Sequence, residues 1–215
     1  MSIDVKICGL KTPAAVNASV EGGTFMVGFN FYPKSSRCVT PVLAGALGQL
    51  VPVQVTKVGL IVDADDETIA AILKDAKLDM LQLHGSETVE RTAEVKARFG
   101  LPVMKVISVS DAADIAAARS YDAVADRLLF DAKPPKTMKD ALPGGNALSF
   151  DWSLLKGQHF HKPWMLAGGL HAGNVAEAVR ATGATAVDLA SGVEDRPGEK
   201  SVSKIKEFLD LARTL

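Results

Sequence analysis

A cysteine and an aspartate, each closing an apolar run, are the residues of this chain best suited to moving protons. Cys8 ends Val5-Lys6-Ile7-Cys8, and Asp131 ends Leu128-Leu129-Phe130-Asp131. Soon after Cys8 comes Thr12-Pro13, a helix-start signature that pairs a hydroxyl cap with proline at the first helical position. Cys8 therefore reads as the last residue of a strand. In parallel α/β proteins that strand edge is where ligands bind and chemistry happens. A thiol, at an ordinary pKa of about 8.5, serves as a base once ionised. An aspartate, at about 3.9, gives a proton near neutrality only where its surroundings favour the acid form. One group that takes a proton and one that gives it suit an isomerisation. Each also has a plainer reading, since free cysteine is often a small buried hydrophobe and an aspartate at a strand end often caps a loop amide.

Two glycine-bearing strand ends point to phosphate. Leu166-Ala167-Gly168-Gly169-Leu170 leads toward a helix, and Ala190-Ser191-Gly192-Val193 is placed to open a short extra one. Glycines let backbone N–H groups approach phosphate oxygens, and a helix N-terminus adds a favourable field; the alternative is that they only make tight turns. Arg37, in Tyr32-Pro33-Lys34-Ser35-Ser36-Arg37, offers a guanidinium that grips a carboxylate through two parallel hydrogen bonds, unless it is simply solvated. His84 ends Leu81-Gln82-Leu83-His84, on the same strand face as Gln82. It is read as supporting the site by hydrogen bonds rather than as a catalyst.

The elements that position these residues alternate along the whole chain. Short β-branched apolar runs at 5–8, 25–31, 57–62, 80–83, 103–107, 128–131, 164–167 and 186–189 read as eight strands. Between them lie helical patterns with recognisable punctuation. Thr40-Pro41 repeats the cap device, and Asp65-Asp66-Glu67 opens a stripe of Ile69, Ile72 and Leu73 that runs toward Lys74 and Lys77. Val175, Ala178, Val179 and Thr182 stop at Gly183, and Ile205, Phe208, Leu209 and Ala212 give the last helix its buried face. Strands that are almost continuously apolar are buried on both faces, as in parallel sheets. Eight β/α units without a composition break predict one (β/α)8 TIM barrel domain over residues 1–215. An open doubly wound sheet would alternate similarly, but no GxGxxG or Walker A sequence follows the first strand. The connection 132–148, with Pro134, Pro135 and Pro143, Lys133, Lys136 and Lys139, and Gly144-Gly145, is long for a compact domain. It is expected to be a lid or binding loop, or else a tolerated surface insertion.

Composition narrows the partners. Apolar residues make up 47% of the 215 and charged residues 23%, with a net charge of −1. Without a basic block, binding to nucleic acid or an anionic membrane is disfavoured. Cys8 and Cys38 form no metal spacing and no CxxC motif. No run approaches a membrane span, and Met1-Ser2-Ile3-Asp4 does not open a signal peptide. A reduced cytoplasmic protein is expected.

Taken in order, these segments resemble the phosphoribosylanthranilate isomerase family of tryptophan biosynthesis, from the first strand to the last helix. The resemblance is carried by Lys6 to Leu10, Gly28-Phe29, Pro33 to Arg37, Leu81 to Gly85 and Leu128 to Asp131. Phe150-Asp151-Trp152, Leu166 to Leu170, Ser191 to Glu194, Pro197-Gly198 and Lys204-Ile205 complete it. It implies an Amadori rearrangement with Cys8 as general base and Asp131 as general acid. Arg37 is then the residue for the anthranilate carboxylate, and Gly168, Gly169, Ser191 and Gly192 hold the phosphate. A small phosphorylated substrate, no metal or organic cofactor and a monomer or homodimer are implied. The chain departs from the family pattern in three places. Gly144-Gly145-Asn146-Ala147 replaces a Gly-Gly-Thr-Gly or Gly-Gly-Ser-Gly run, Ala190 stands where a serine is common, and Cys38 where an aromatic residue often follows the arginine. The first bears on the lid, and the second removes one potential phosphate hydrogen bond. Other phosphate-binding barrels, among them metal-dependent epimerases and indole-glycerol-phosphate synthase, are the competing enzymes. A non-catalytic barrel that binds a phosphorylated metabolite is the competing class.

Overall fold

The protein is described by a computed structural model over residues 2–135, 137–138 and 142–215. Its strands are β1 (Asp4–Cys8), β2 (Met26–Asn30), β3 (Thr56–Ile61), β4 (Met80–Leu83), β5 (Val103–Val109), β6 (Arg127–Ala132), β7 (Trp164–Leu166) and β8 (Ala186–Leu189). All pair in parallel with their sequence neighbours, and β1 pairs with β8, so the sheet closes into an eight-stranded barrel. Every strand expected from the sequence is present, with ends displaced by at most a residue or two.

The helices are α1 (Pro13–Glu21), α2 (Pro41–Gly48), α3 (Asp66–Ala76), α4 (Val89–Phe99), α5 (Ala112–Ala118), α6 (Val175–Thr182) and α7 (Val202–Ala212). Thr12, Thr40, Asp65 and Thr88 each accept a backbone N–H of the first turn through the side chain, which satisfies donors the helix cannot pair internally. The stripe of α3 turns Ile69 and Ile72 inward, but Lys77 lies beyond the helix, in the left-handed region at φ 50°. Two apolar layers result. One fills the space between strands and helices, with Phe29, Phe130, Ile205 and Phe208. The other plugs the barrel with Met26, Val58, Met80, Met104, Leu129 and Met165. Alternation along each strand separates the layers. It also places Lys6, Gln82 and Asp188, all buried, on the inward face.

Among the described residues the sixth helix of a regular eightfold barrel is missing. Between β6 and β7 the chain forms only a 3₁₀ turn at Trp152–Leu155. Pro134, Pro135 and Pro143 remove backbone donors that a helix would need. Where a helix would cover the barrel, Phe160 packs on Phe130 at 4.9 Å between ring centroids, with Trp164 at 5.6 Å from Phe130. Lys136 and Lys139, expected in the lid, lie outside the described residues. A small antiparallel pair, β9 (Glu194–Arg196) and β10 (Glu199–Lys200), follows β8.

Candidate active site

The C-terminal ends of the strands enclose a cavity of about 730 Å³, mouth included. Cys8, Arg37, His84, Asp131, Gly168, Gly169 and Ser191 all line it. Gly192 does not. A methyl there would overlap the Leu170 carbonyl, so Gly192 stands behind the wall and lets the two phosphate-type loops pack closely.

Cys8 owes its room to two glycines. A Cβ on Gly28 of the neighbouring strand would stand 2.9 Å from its sulfur. Gly9, at φ 79°, turns the chain away just above, and the Arg37 side chain crosses it so closely that a Cβ would lie 2.7 Å from Cδ. Beneath the thiol, Lys6 donates from Nζ to Asp188 Oδ1 at 2.8 Å, with both groups buried. Burial pushes the Cys8 thiol up from its ordinary value. The Lys6 and Lys200 ammonium groups pull it down, the Asp188 carboxylate adds to the rise, and burial prevails. Burial also opposes the charge on Lys6, but Asp188 and Cys8 outweigh it and hold that lysine above its ordinary value.

Arg37 is fixed by its own loop. Asn30, at the end of β2, takes the Tyr32 N–H on Oδ1 at 2.8 Å and donates to Ser35 Oγ at 3.3 Å. Ser35 Oγ in turn accepts the Arg37 N–H at 3.1 Å. The guanidinium then makes a two-bond fork, but to Glu194 rather than to an open site: Nε to Oε1 and Nη2 to Oε2, each 2.8 Å. The parallel grip expected for a ligand carboxylate is thus already used within the protein. What remains for the cavity is Nη1, which lies beside Gly145. Lys200 pairs with the same Glu194 carboxylate and donates to the Ala190 carbonyl at 2.9 Å. Burial opposes the charge on Glu194, yet Arg37 and Lys200 hold its carboxyl below the ordinary glutamate value. Burial lowers Lys200, despite Glu194.

Asp131 sits across the cavity with its residue 6% exposed. Its Oδ1 accepts the Ala132 N–H at 2.9 Å, and its Oδ2 stands 3.2 Å from His84 Nε2. The other ring nitrogen, Nδ1, meets Gln82 Nε2 at 3.0 Å. Gly144 of the long connection lies against Asp131 and His84 so closely that a Cβ would overlap both. Asn146 pins this turn, taking the Leu142 N–H on Oδ1 at 3.2 Å and donating from Nδ2 to the Leu142 carbonyl at 2.7 Å. Ala147 adopts φ 56°, a left-handed conformation that a glycine takes at less cost.

At the far end, Gly168 and Gly169 hold φ values of 91° and 61°, accessible to glycine without strain. Their N–H groups donate to no acceptor among the described residues. Ser191 opens a 3₁₀ turn, Ser191–Val193, directly after β8. Unpaired amides on two residues that line the cavity, beside a polar hydroxyl, are the groups from which an anion cradle is built.

Sequence reasoning missed the buried ion pairs behind these groups. Lys6 and Asp188 are lone charges inside apolar runs, and they are register partners across the β1–β8 seam. The lone charge within each run was the available signal, and the pairing itself is seen only in the structure. Glu194 and Lys200, which complete the arginine's surroundings, carried no such mark.

Against known proteins, the family model described as N-(5'phosphoribosyl)anthranilate (PRA) isomerase matches residues 5–211. The N-(5'-phosphoribosyl)anthranilate isomerase of Paramagnetospirillum magneticum is 56% identical over 213 residues, which is 99% of this chain and 98% of that one. The phosphoribosyl anthranilate isomerase structure from Thermotoga maritima superposes with a TM-score of 0.87 at 35% identity, covering 99% of this chain and 100% of that one. A structure of such an isomerase with reduced 1-(o-carboxyphenylamino)-1-deoxyribulose 5-phosphate gives 0.83 at 33% identity, with the same coverage.

Proposed function

Because the chain belongs to the N-(5'-phosphoribosyl)anthranilate isomerase family, whose reaction in tryptophan biosynthesis is its own, we propose that Cys8 and Asp131 are the base and acid of that reaction. The substrate N-(5-phosphoribosyl)anthranilate becomes 1-(o-carboxyphenylamino)-1-deoxyribulose 5-phosphate. Asp131 gives its proton to the furanose ring oxygen while the anthranilate nitrogen lone pair breaks the C1′–O bond, which leaves a protonated Schiff base. The Cys8 thiolate then removes the C2′ proton, and the electron pair neutralises the iminium to an enolamine that tautomerises to the ketone. The iminium matters to the thiol. It places a positive charge beside the carbon from which Cys8 takes the proton, at a site where burial, with the Asp188 carboxylate, raises the thiol above its ordinary value.

The observation that carries this reading is the shared cavity. Cys8 and Asp131 line one chamber with a cationic nitrogen, Arg37 Nη1, and the free amides of Gly168 and Gly169. The Arg37 nitrogen takes the anthranilate carboxylate. Gly168, Gly169 and Ser191 take the phosphate, with Gly192 acting through close packing of the loop. His84 supports Asp131.

The reading extends to a cytoplasmic monomer or homodimer that needs no metal, organic cofactor, nucleic acid or membrane. A net charge of −1 supports the absence of a polyanionic partner. Among the described residues no helix is long and apolar enough to cross a membrane.

The test supplies phosphoribosylanthranilate in situ from anthranilate, phosphoribosyl pyrophosphate and the transferase, and follows loss of its fluorescence. Acceleration by the wild-type protein that Cys8→Ala and Asp131→Asn abolish supports the assignment. Variants that turn over like wild type remove Cys8 and Asp131 from the chemistry.

A further inference from the structure

Gln82 is wholly buried inside the barrel, flanked in register by Leu60 and Met104. Its amide spans from that apolar interior to His84 Nδ1, and its Oε1 has no hydrogen-bond partner among the described residues. Buried polar atoms are seldom left so, and each one calls for an explanation.

An amide paired at one end only is free to present either end to His84, and that bears on how Asp131 keeps a proton. Its Oδ1 is occupied by the Ala132 N–H, and the one side chain bonded to its Oδ2 among the described residues is His84. A neutral imidazole carries one proton on two nitrogens, so one donates and the other accepts. If Nε2 donates to Oδ2, Asp131 receives two hydrogen bonds and is held as a carboxylate with nothing to give. If Asp131 carries the proton, Oδ2–H donates to Nε2, the imidazole proton sits on Nδ1, and Gln82 must present an oxygen there. A half-turn of the terminal amide exchanges oxygen and nitrogen without changing the heavy-atom outline. It pairs the orphaned Oε1 with Nδ1–H and puts the amide nitrogen in the unpaired place. The two orientations are equal in bond count, so the amide orientation and the proton on Asp131 are coupled through the imidazole, and an oxygen presented to Nδ1 favours the protonated acid.

We propose that Gln82 is a positioning residue for the acid: its amide oxygen holds the His84 proton on Nδ1, so that Nε2 accepts from Asp131 and the transferable proton stays on Oδ2. This rests on the assignment of Asp131 as the acid. The proton then passes from Oδ2 to the sugar ring oxygen as the C1′–O bond breaks, and Nε2 remains an acceptor facing Oδ2, ready for the proton's return. A neutral partner behind the imidazole is essential. A carboxylate there would favour an imidazolium and pair it with an ionised Asp131.

The experiment has two readouts. In protein labelled with ¹⁵N-histidine, the His84 ring nitrogens, assigned by their loss in His84→Asn, are expected to show the Nδ1–H tautomer. In Gln82→Met, of similar bulk but without the amide, that tautomer preference is lost. There kcat falls by about ten- to a hundredfold at nearly constant KM, a part of the roughly 10²–10⁴-fold that a positioned acid supplies. An Nε2–H tautomer or an imidazolium in the active wild-type enzyme overturns the proposal. So does a Gln82→Met variant with unchanged kcat. Should the wild-type protein show no isomerase activity, the acid assignment falls instead, and the tautomer still reports whether Gln82 acts as donor or acceptor.

Discussion

Lys6 and Asp188 face each other across the seam that closes the barrel, with Nζ 2.8 Å from Oδ1, beneath the cysteine proposed as the base. The lysine is the cation nearest the thiol in sequence, and the aspartate keeps it charged. Because Lys6 favours the thiolate and burial disfavours it, removing Lys6 drives the thiol further up. In Lys6→Met the rising alkaline limb of kcat/KM is therefore expected to move to higher pH. The thiolate is the deprotonated form, and the variant loses the charge that stabilises it. A pH–rate profile by the fluorescence assay checks this. A limb that stays in place separates Lys6 from the ionisation of Cys8.

Asp131→Asn and Cys8→Ala each remove a group proposed to transfer a proton, while keeping nearly the same volume or less. Each is expected to cost about 10²–10⁴-fold in kcat and to leave KM almost unchanged, as for interactions made only in the transition state. Steady-state kinetics decide, since a large rise in KM with intact kcat would make them binding residues.

Arg37→Ala removes the nitrogen that faces the cavity and unpairs one side of Glu194. A hydrogen bond to a charged group is worth about 1.5–3 kcal/mol, so KM should rise roughly ten- to a hundredfold with a smaller change in kcat. The variant should also melt at lower temperature. An unchanged KM would place the anthranilate carboxylate elsewhere.

Glu194→Gln breaks the buried bridge between Arg37 and Lys200. Removing one partner of such a cluster costs about 3–5 kcal/mol, read as a lower urea midpoint near neutral pH. Glu194 is held below its ordinary value in the folded protein. Its contribution is therefore complete above the unfolded glutamate range, near about 4.3, and is lost as pH falls through the lower folded value. The gap between wild type and variant should accordingly close in acid. A gap that is constant with pH refutes the ionic account.

Gly144→Ala tests the long connection, because the added methyl would overlap both Asp131 and His84. Overpacking of this kind costs about 1–3 kcal/mol, and kcat/KM should fall about tenfold or more. Full activity would mean that the turn lifts clear of the acid during turnover.

Much of this was legible in the sequence for specific reasons. Near-continuous apolar runs located all eight strands, because a strand buried on both faces must be apolar throughout. Thr12, Thr40 and Asp65 marked helix starts through local hydrogen bonds that involve only neighbouring residues. Cys8, Asp131 and Arg37 were visible because strand ends and the loops after them are where a barrel exposes side chains. The partnership of Arg37 with Glu194 was not visible. It joins residues 157 apart in sequence, and no local pattern encodes so distant a fork. The missing sixth helix left only indirect signs, its prolines, because what replaces it is the packing of Phe130, Phe160 and Trp164 rather than a repeating stripe.

That gap between β6 and β7 has a consequence for how such a protein can change. Elsewhere on the barrel, lengthening a loop shifts a helix that must re-dock on two neighbours. Here the segment that roofs the acid rests on Asp131, His84 and Arg37 themselves, and the stretch after it is held by a 3₁₀ turn and a few aromatic rings. Insertions, deletions or a grafted sequence between Lys133 and Leu148 therefore change what lies over the acid and Arg37 without displacing a barrel helix. Descendants of this chain can acquire a new roof, and with it a new substrate shape, while the strands that carry Cys8 and Asp131 stay where they are.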